Sequence, residues 1–143
     1  MAVTLTPRHH ATAVHPLQAV LVASTLPTFL GALLSDIAYA RTFEIQWNNF
    51  ASWLIAGGLV LAGLALLAAV VEAVASRRRS RRAWLSAGLL LVLWIVGFFN
   101  ALMHARDAWA SMPDGLVMSA VVVALAVAAT WLAFHAPRQE ATS

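Results

Sequence analysis

Asp36, Asn100, His104 and Asp107 are side chains able to hold or pass a proton in an otherwise apolar chain. Asn100, His104 and Asp107 recur at steps of four and three, which at 3.6 residues per turn places them on one helix face. Asp36 closes the apolar run HPLQAVLVASTLPTFLGALLSD, which opens at His15. A carboxylate beside an imidazole can share a proton, and an ionisable group in such a run needs a partner or water. A second set, His15, Glu72 and His135, lies at the other ends of apolar runs. These types suit proton or cation handling, and none marks a catalytic residue. H-E-x-x-H, G-x-S-x-G and a Gly-rich phosphate loop are all missing, so hydrolase and nucleotide chemistry have no support. With no cysteine, disulfides, thiolate metal sites and cysteine nucleophiles are excluded. His9 and His10 read as solvated tail residues, and no metal or cofactor is expected.

The elements that must position these groups follow from composition. The chain is 62% hydrophobic and 10% charged over 143 residues, with mean hydropathy +0.80, against about 25% charged in soluble domains. Its solvent is a bilayer. A hydrocarbon core of roughly 30 Å needs about 20 apolar helical residues, and four runs qualify: 17–39, 51–75, 83–103 and 115–134. The linkers RTFEIQWNN, SRRRSRR and HARDAWASMPD are short, which forces antiparallel neighbours. The expected fold is all-α, an integral-membrane four-helix bundle running up-down-up-down. Residues 1–15 and 137–143 read as disordered tails, and 16–136 as the transmembrane domain.

Seven of the nine basic residues fall on one side of that topology: Arg8, Arg138 and the loop residues Arg77, Arg78, Arg79, Arg81 and Arg82. Only Arg41 and Arg106 lie on the other. The positive-inside rule then puts both termini in the cytoplasm of a bacterial inner membrane. The arginine loop reads as a topology signal that also suits anionic lipid head groups, and nucleic acid is not an expected partner. Trp47, Trp53, Trp84 and Trp109 lie near span ends, where an aromatic belt belongs. Ala38-Tyr39-Ala40 resembles a signal-peptide cleavage site, but the run before it exceeds the usual 7–15 residues and carries Asp36. The first span is therefore read as retained.

Helix faces sharpen the picture. Gly58, Ala62, Ala65 and Ala69 recur at steps of four, three and four, a stripe that lets helix backbones approach closely. Glu72 continues it, either pointing into the bundle or snorkelling to the interface beside the arginines. In the first span Gln18, Thr25, Phe29, Ala32 and Asp36 share one side, and Pro27 frees a backbone carbonyl for Thr25 or a neighbour to satisfy. Asp36, Asn100, His104 and Asp107 are expected at a periplasmic mouth, with Asp36 bonded to the third span through His104. His15, Glu72 and His135 are expected at a cytoplasmic mouth. Ser111-Met-Pro-Asp114 looks like a capping-box start for the fourth span. Haem needs two histidines across one plane, and only His15 with His135 lies on one membrane face.

His15-Pro16, the G-x-x-x-x-D from Gly31 to Asp36, and Glu72 closing the second span resemble the DUF2231 family of small four-span bacterial inner-membrane proteins. The resemblance covers residues 14–104. The chain departs from it by carrying Trp84, not a histidine, near the start of the third span. The family has no established activity, and some members are joined to iron–sulfur redox domains, which implies an anchor or partner for electron transfer. The resulting expectation is a non-enzymatic membrane anchor or partner-binding subunit, for which a homo-oligomer or a membrane redox protein would be a suitable partner. The alternatives are a small proton- or ion-coupled transporter or channel, or a redox subunit binding haem or quinone.

Overall fold

The computed structural model describes residues 16–75, 81–106 and 108–135. The tails expected to be disordered, His15, Arg77, Arg78, Arg79 and Asp107 lie outside the described residues. Four long helices, α1 (Pro16–Thr42), α2 (Ile45–Ala75), α3 (Arg81–His104) and α4 (Asp114–Phe134), are each apolar and long enough to cross a membrane. A short 3-10 turn, Ala108–Ser111, precedes α4. Each helix packs on its chain neighbours, and α1 also packs on α4, so the four close into a ring of antiparallel pairs. This is the expected up-down-up-down bundle.

The inward residues repeat at steps of three and four. On α1 they include Gln18, Val22, Thr25, Phe29, Ala32, Asp36 and Tyr39, and on α4 Gly115, Ser119, Val122, Ala126, Ala129 and Ala133. Such steps average about 3.5 residues, the seam of helices packed at a shallow angle. The outward faces carry Leu67, Val74, Trp53 and Trp131, all more than half exposed, as lipid contact requires. Lipid tails are as apolar as leucine, so burial of hydrocarbon cannot drive the helices together. Close packing and interhelical hydrogen bonds must.

The small-residue stripe supplies the packing. Gly58, Ala62, Ala65 and Ala69 are all buried. The Phe29 ring fills the space they leave: a Cβ built on Gly58 would lie 2.6 Å from Phe29 Cε1 and 2.8 Å from Cζ. One on Gly97 of α3 would lie 3.7 Å from the same Cζ. Phe29 thus inserts between two glycines on different helices. Hydroxyls near the lipid return to their own backbone: Ser24 donates to the Val20 carbonyl, Thr28 to Ser24 and Thr130 to Ala126. Thr25 donates to the Val22 carbonyl at 2.7 Å, so its hydroxyl does not serve the Ala23 carbonyl that Pro27 frees.

Two expectations at the turns are corrected. The first linker shrinks to Phe43 and Glu44, because α2 begins at Ile45 and not near Ala51. Asn48, assigned to the linker for its polarity, is instead buried in the bundle, where Ser111 Oγ donates to its Oδ1 at 3.2 Å. Phe43 makes the reversal at φ 59°, a left-handed position usually given to glycine or asparagine, and its amide donates to the Tyr39 carbonyl at 2.8 Å. Ser111 donates to Asn48 and does not open a capping box: Pro113 occupies the N-cap of α4 with no side-chain cap bond. At the other end Arg82 Nη2 donates to the Leu132 and Ala133 carbonyls at 2.7 and 3.3 Å, capping the last turn of α4.

Adjacent glycines give an internal control on the packing. Gly58→Ala should destabilise the bundle by about 1–3 kcal/mol through overpacking against Phe29. Gly57→Ala, whose Cβ meets nothing within 4 Å, should be neutral or better, since alanine favours helix by about 1 kcal/mol. Melting of both variants in detergent checks this. Equal losses would mean that α1 and α2 do not meet at Gly58.

Candidate functional site

Asp36 sits six residues before the end of α1, roughly 9 Å inside it at 1.5 Å per residue. It is fully buried. The face shared with Thr25, Phe29 and Ala32 carries its carboxylate to the middle of the ring, where it reaches the diagonal helix α3 as well as α4. His104 Nε2 lies 2.8 Å from Oδ1, and Ser119 Oγ of α4 donates to Oδ2 at 2.6 Å. The second bond is short, as bonds to a carboxylate are. Asn100, one turn before His104, donates from Nδ2 to Ser119 Oγ at 3.0 Å. His104 Nδ1 lies 3.0 Å from the Asn100 carbonyl oxygen. A carbonyl only accepts, so Nδ1 carries hydrogen.

Four side chains from three helices therefore bond in sequence: Asn100 to Ser119, Ser119 to Asp36, and Asp36 with His104. Both oxygens of the carboxylate and both nitrogens of the imidazole are engaged. Buried networks of this kind gain from the low dielectric when complete and lose by it when broken. One atom stands apart: Asn100 Oδ1 is buried without a hydrogen-bond partner among the described residues. Close approach of α4 depends on Gly115, where a Cβ would stand 3.0 Å from His104 Cε1 and 3.5 Å from Nε2.

Of the first expected cluster the structure brings together Asp36, Asn100 and His104, while Asp107 lies outside the described residues. Of the second expected cluster, Glu72 and His135 fall among the described residues. Glu72 is exposed, past the end of the small-residue stripe on α2, which fits the interface position of the two open to it. His135 is exposed and stacks on Trp131 of its own helix, with centroids 3.5 Å apart, and so points along α4 and not into a mouth. His15 lies outside the described residues.

Sequence reasoning missed Ser119, which joins the network's two halves, and the Asn48–Ser111 pair. Both left a signal. Ser119 follows Gly115 by four and precedes Val122 by three on the inward seam of α4. Asn48 heads the seam continued by Ala51, Ile55 and Gly58. Near the end of α1 a cleft of about 310 Å³ is lined by Tyr39, Ala40, Phe43, Met112 and Pro113. Among the described residues no group of three His, Asp or Glu side chains is placed to hold a metal ion.

Removing Asp36's charge and removing its hydrogen bonds should have different effects. Asp36→Asn keeps one acceptor for Ser119 and a donor for His104, and should cost under about 1.5 kcal/mol. Asp36→Leu strands Ser119, His104 and through them Asn100, and should cost roughly 2–5 kcal/mol. Denaturation of both variants in mixed micelles measures the difference. A leucine variant as stable as the asparagine variant would show that the network contributes nothing to the bundle.

The family model described as a predicted membrane protein, DUF2231, matches residues 14–135. The match runs on through α4, beyond the 14–104 over which the resemblance was read. No curated protein and no solved structure matches the chain.

Proposed function

The chain belongs to the DUF2231 family of predicted membrane proteins, and from that premise we propose that it is a non-enzymatic integral-membrane subunit that anchors a partner in the bilayer. The observation that supports this is the closure of the polar network. Both carboxylate oxygens of Asp36 and both ring nitrogens of His104 are engaged within the bundle, so the chemistry-bearing groups hold the helices together. A haem iron would have to displace one of those bonds to take His104 as a ligand. The surface left for recognition is then the outer face and the loop residues.

In this reading the membrane is the bacterial inner membrane and both termini are cytoplasmic, by the arginine asymmetry. Arg77, Arg78, Arg79 and Arg81 serve anionic head groups, and Arg82 divides its role because its guanidinium also caps α4. A homo-oligomer or a membrane redox subunit fits as the partner. The second reading is a proton- or ion-coupled transporter, and the observation favouring it is a buried Asp–His contact between spans together with the unpaired Asn100 Oδ1.

A photo-crosslinking side chain at Leu67 or Val74, both strongly exposed, should give a discrete protein adduct in native membranes. Lipid adducts alone at every exposed position on all four helices would overturn the anchor reading. Proton or cation flux in proteoliposomes above that of empty vesicles, abolished by Asp36→Asn, would replace it with transport. Reporter fusions between Phe43 and Glu44 and after Ser143 should be active on the periplasmic and cytoplasmic sides respectively, and the reverse pattern would invert the topology.

A further inference from the structure

Hydrogen accounting around His104 leaves one proton in a special place. Nδ1 carries hydrogen because it meets a carbonyl oxygen. Ser119 Oγ accepts from Asn100 and spends its own hydrogen on Asp36 Oδ2. The 2.8 Å contact between Nε2 and Oδ1 then holds a single hydrogen. With the hydrogen on nitrogen, the pair is imidazolium and carboxylate. With it on oxygen, the pair is neutral imidazole and carboxylic acid. Either way the pair is net neutral, which is the state least penalised in a buried setting. Without that hydrogen, a ring-nitrogen lone pair would face a carboxylate oxygen at hydrogen-bond distance with nothing between them, and the contact would turn repulsive.

We propose that Asp36 and His104 form a one-proton binding site that latches α1 to α3 across the bundle, closed with the shared proton bound and open once it is released to water. Release moves one proton to solvent and leaves one negative charge on Asp36. The placement suits such a latch. His104 is the last residue of α3, Asp36 lies in the final third of α1, and the two helices otherwise meet mainly through α2 and α4. Gly115 lets the imidazole lie against the backbone of α4 with no Cβ in the way. A cleft lies between the end of α1 and the turn before α4, lined by Tyr39, Met112 and Pro113, with Tyr39 three residues beyond Asp36 in the chain.

The other titratable and charged groups at this end are few among the described residues. From α1 come buried Tyr39 and exposed Arg41, from the first turn exposed Glu44, from beyond α3 exposed Arg106, and from α4 exposed Asp114. The one charged residue of α2, Glu72, lies at its opposite end. The bonds that reach the pair come from Ser119 and the Asn100 carbonyl, neither of which titrates in this range, so its proton answers to Asp36 and His104 together.

The chain has no native cysteine, so spin labels can be placed on Leu34→Cys in α1 and Leu102→Cys in α3, both lipid-facing. Pulsed electron resonance in lipid nanodiscs then reads the α1–α3 distance from about pH 4 to about pH 10, the span of ordinary carboxyl to lysine titration. The expected result is a shift to longer distance with one-proton dependence as pH rises. In Asp36→Asn the amide donates to Nε2 of the neutral imidazole and accepts from Ser119, a pairing from which rising pH removes no proton, so the short distance should persist as pH rises. A constant distance in the parent chain, or the same shift in Asp36→Asn, overturns the latch. Should Asp36→Asn fail to fold, nitrogen-15 resonances of His104 in the parent chain, assigned by their loss in His104→Gln, decide. Whether the shared hydrogen starts on nitrogen or oxygen, the Nε2 resonance should move with pH as that hydrogen leaves while Nδ1 stays protonated, and loss of the proton at Nδ1 or a pH-independent Nε2 overturns the proposal.

Discussion

A carboxylate held at the centre of a membrane bundle is the constraint on which the rest of this structure turns. Asp36 is fully buried, so its charge must be met by hydrogen bonds or neutralised. Meeting it requires α3 to end with an imidazole at the same depth, α4 to bring a hydroxyl from another side, and both to approach closely. Ser119, His104 and the missing side chain of Gly115 are the three responses. Burial of hydrocarbon could not have imposed this arrangement, because each helix is as well solvated by lipid as by its neighbours.

The bundle is accordingly divided into two regimes along its length. From Phe29 toward the chain termini the contacts are steric, an aromatic ring set between Gly58 and Gly97 and alanines aligned on α2 and α4. From Asp36 outward they are polar, with the Asn48–Ser111 pair and the four-membered network gathered near the α1–α2 turn. Arg82, donating to the end of α4, closes the steric half. The polar half specifies register, because sliding α1, α3 or α4 by a residue would separate members of the Asp36 network, and sliding α2 would separate Asn48 from Ser111. The steric half tolerates apolar exchange so long as the small residues stay small.

Membership of DUF2231 carries no activity with it, so function has to be argued from the polar half. The same bonds that make Asp36 and His104 good clamps make them a place where one proton decides whether the clamp holds. A membrane subunit whose mouth responds to protonation and one that merely anchors a partner share this architecture. What separates them is whether the shared hydrogen exchanges.

Much of this was legible in the residues. Four apolar runs with short links specify an antiparallel bundle because a bilayer leaves helices no other way to satisfy their backbones. Periodicity alone placed Gly58, Ala62, Ala65 and Ala69, and Gln18, Thr25, Phe29, Ala32 and Asp36, on inward faces, since a helix converts spacing directly into direction. In an up-down-up-down bundle α1 and α3 run the same way, so residues near their C-terminal ends share depth, which is why Asp36 and His104 could be paired in advance. Spacing does not report which neighbour a polar group selects once several lie within reach. Ser119 looked like one small residue among alanines, Asn48 and Ser111 looked like loop and cap, and Glu72 was left with two positions. Tertiary structure decided these, because a hydrogen bond needs its partner within about 3 Å and only the packed ring sets distances at that scale.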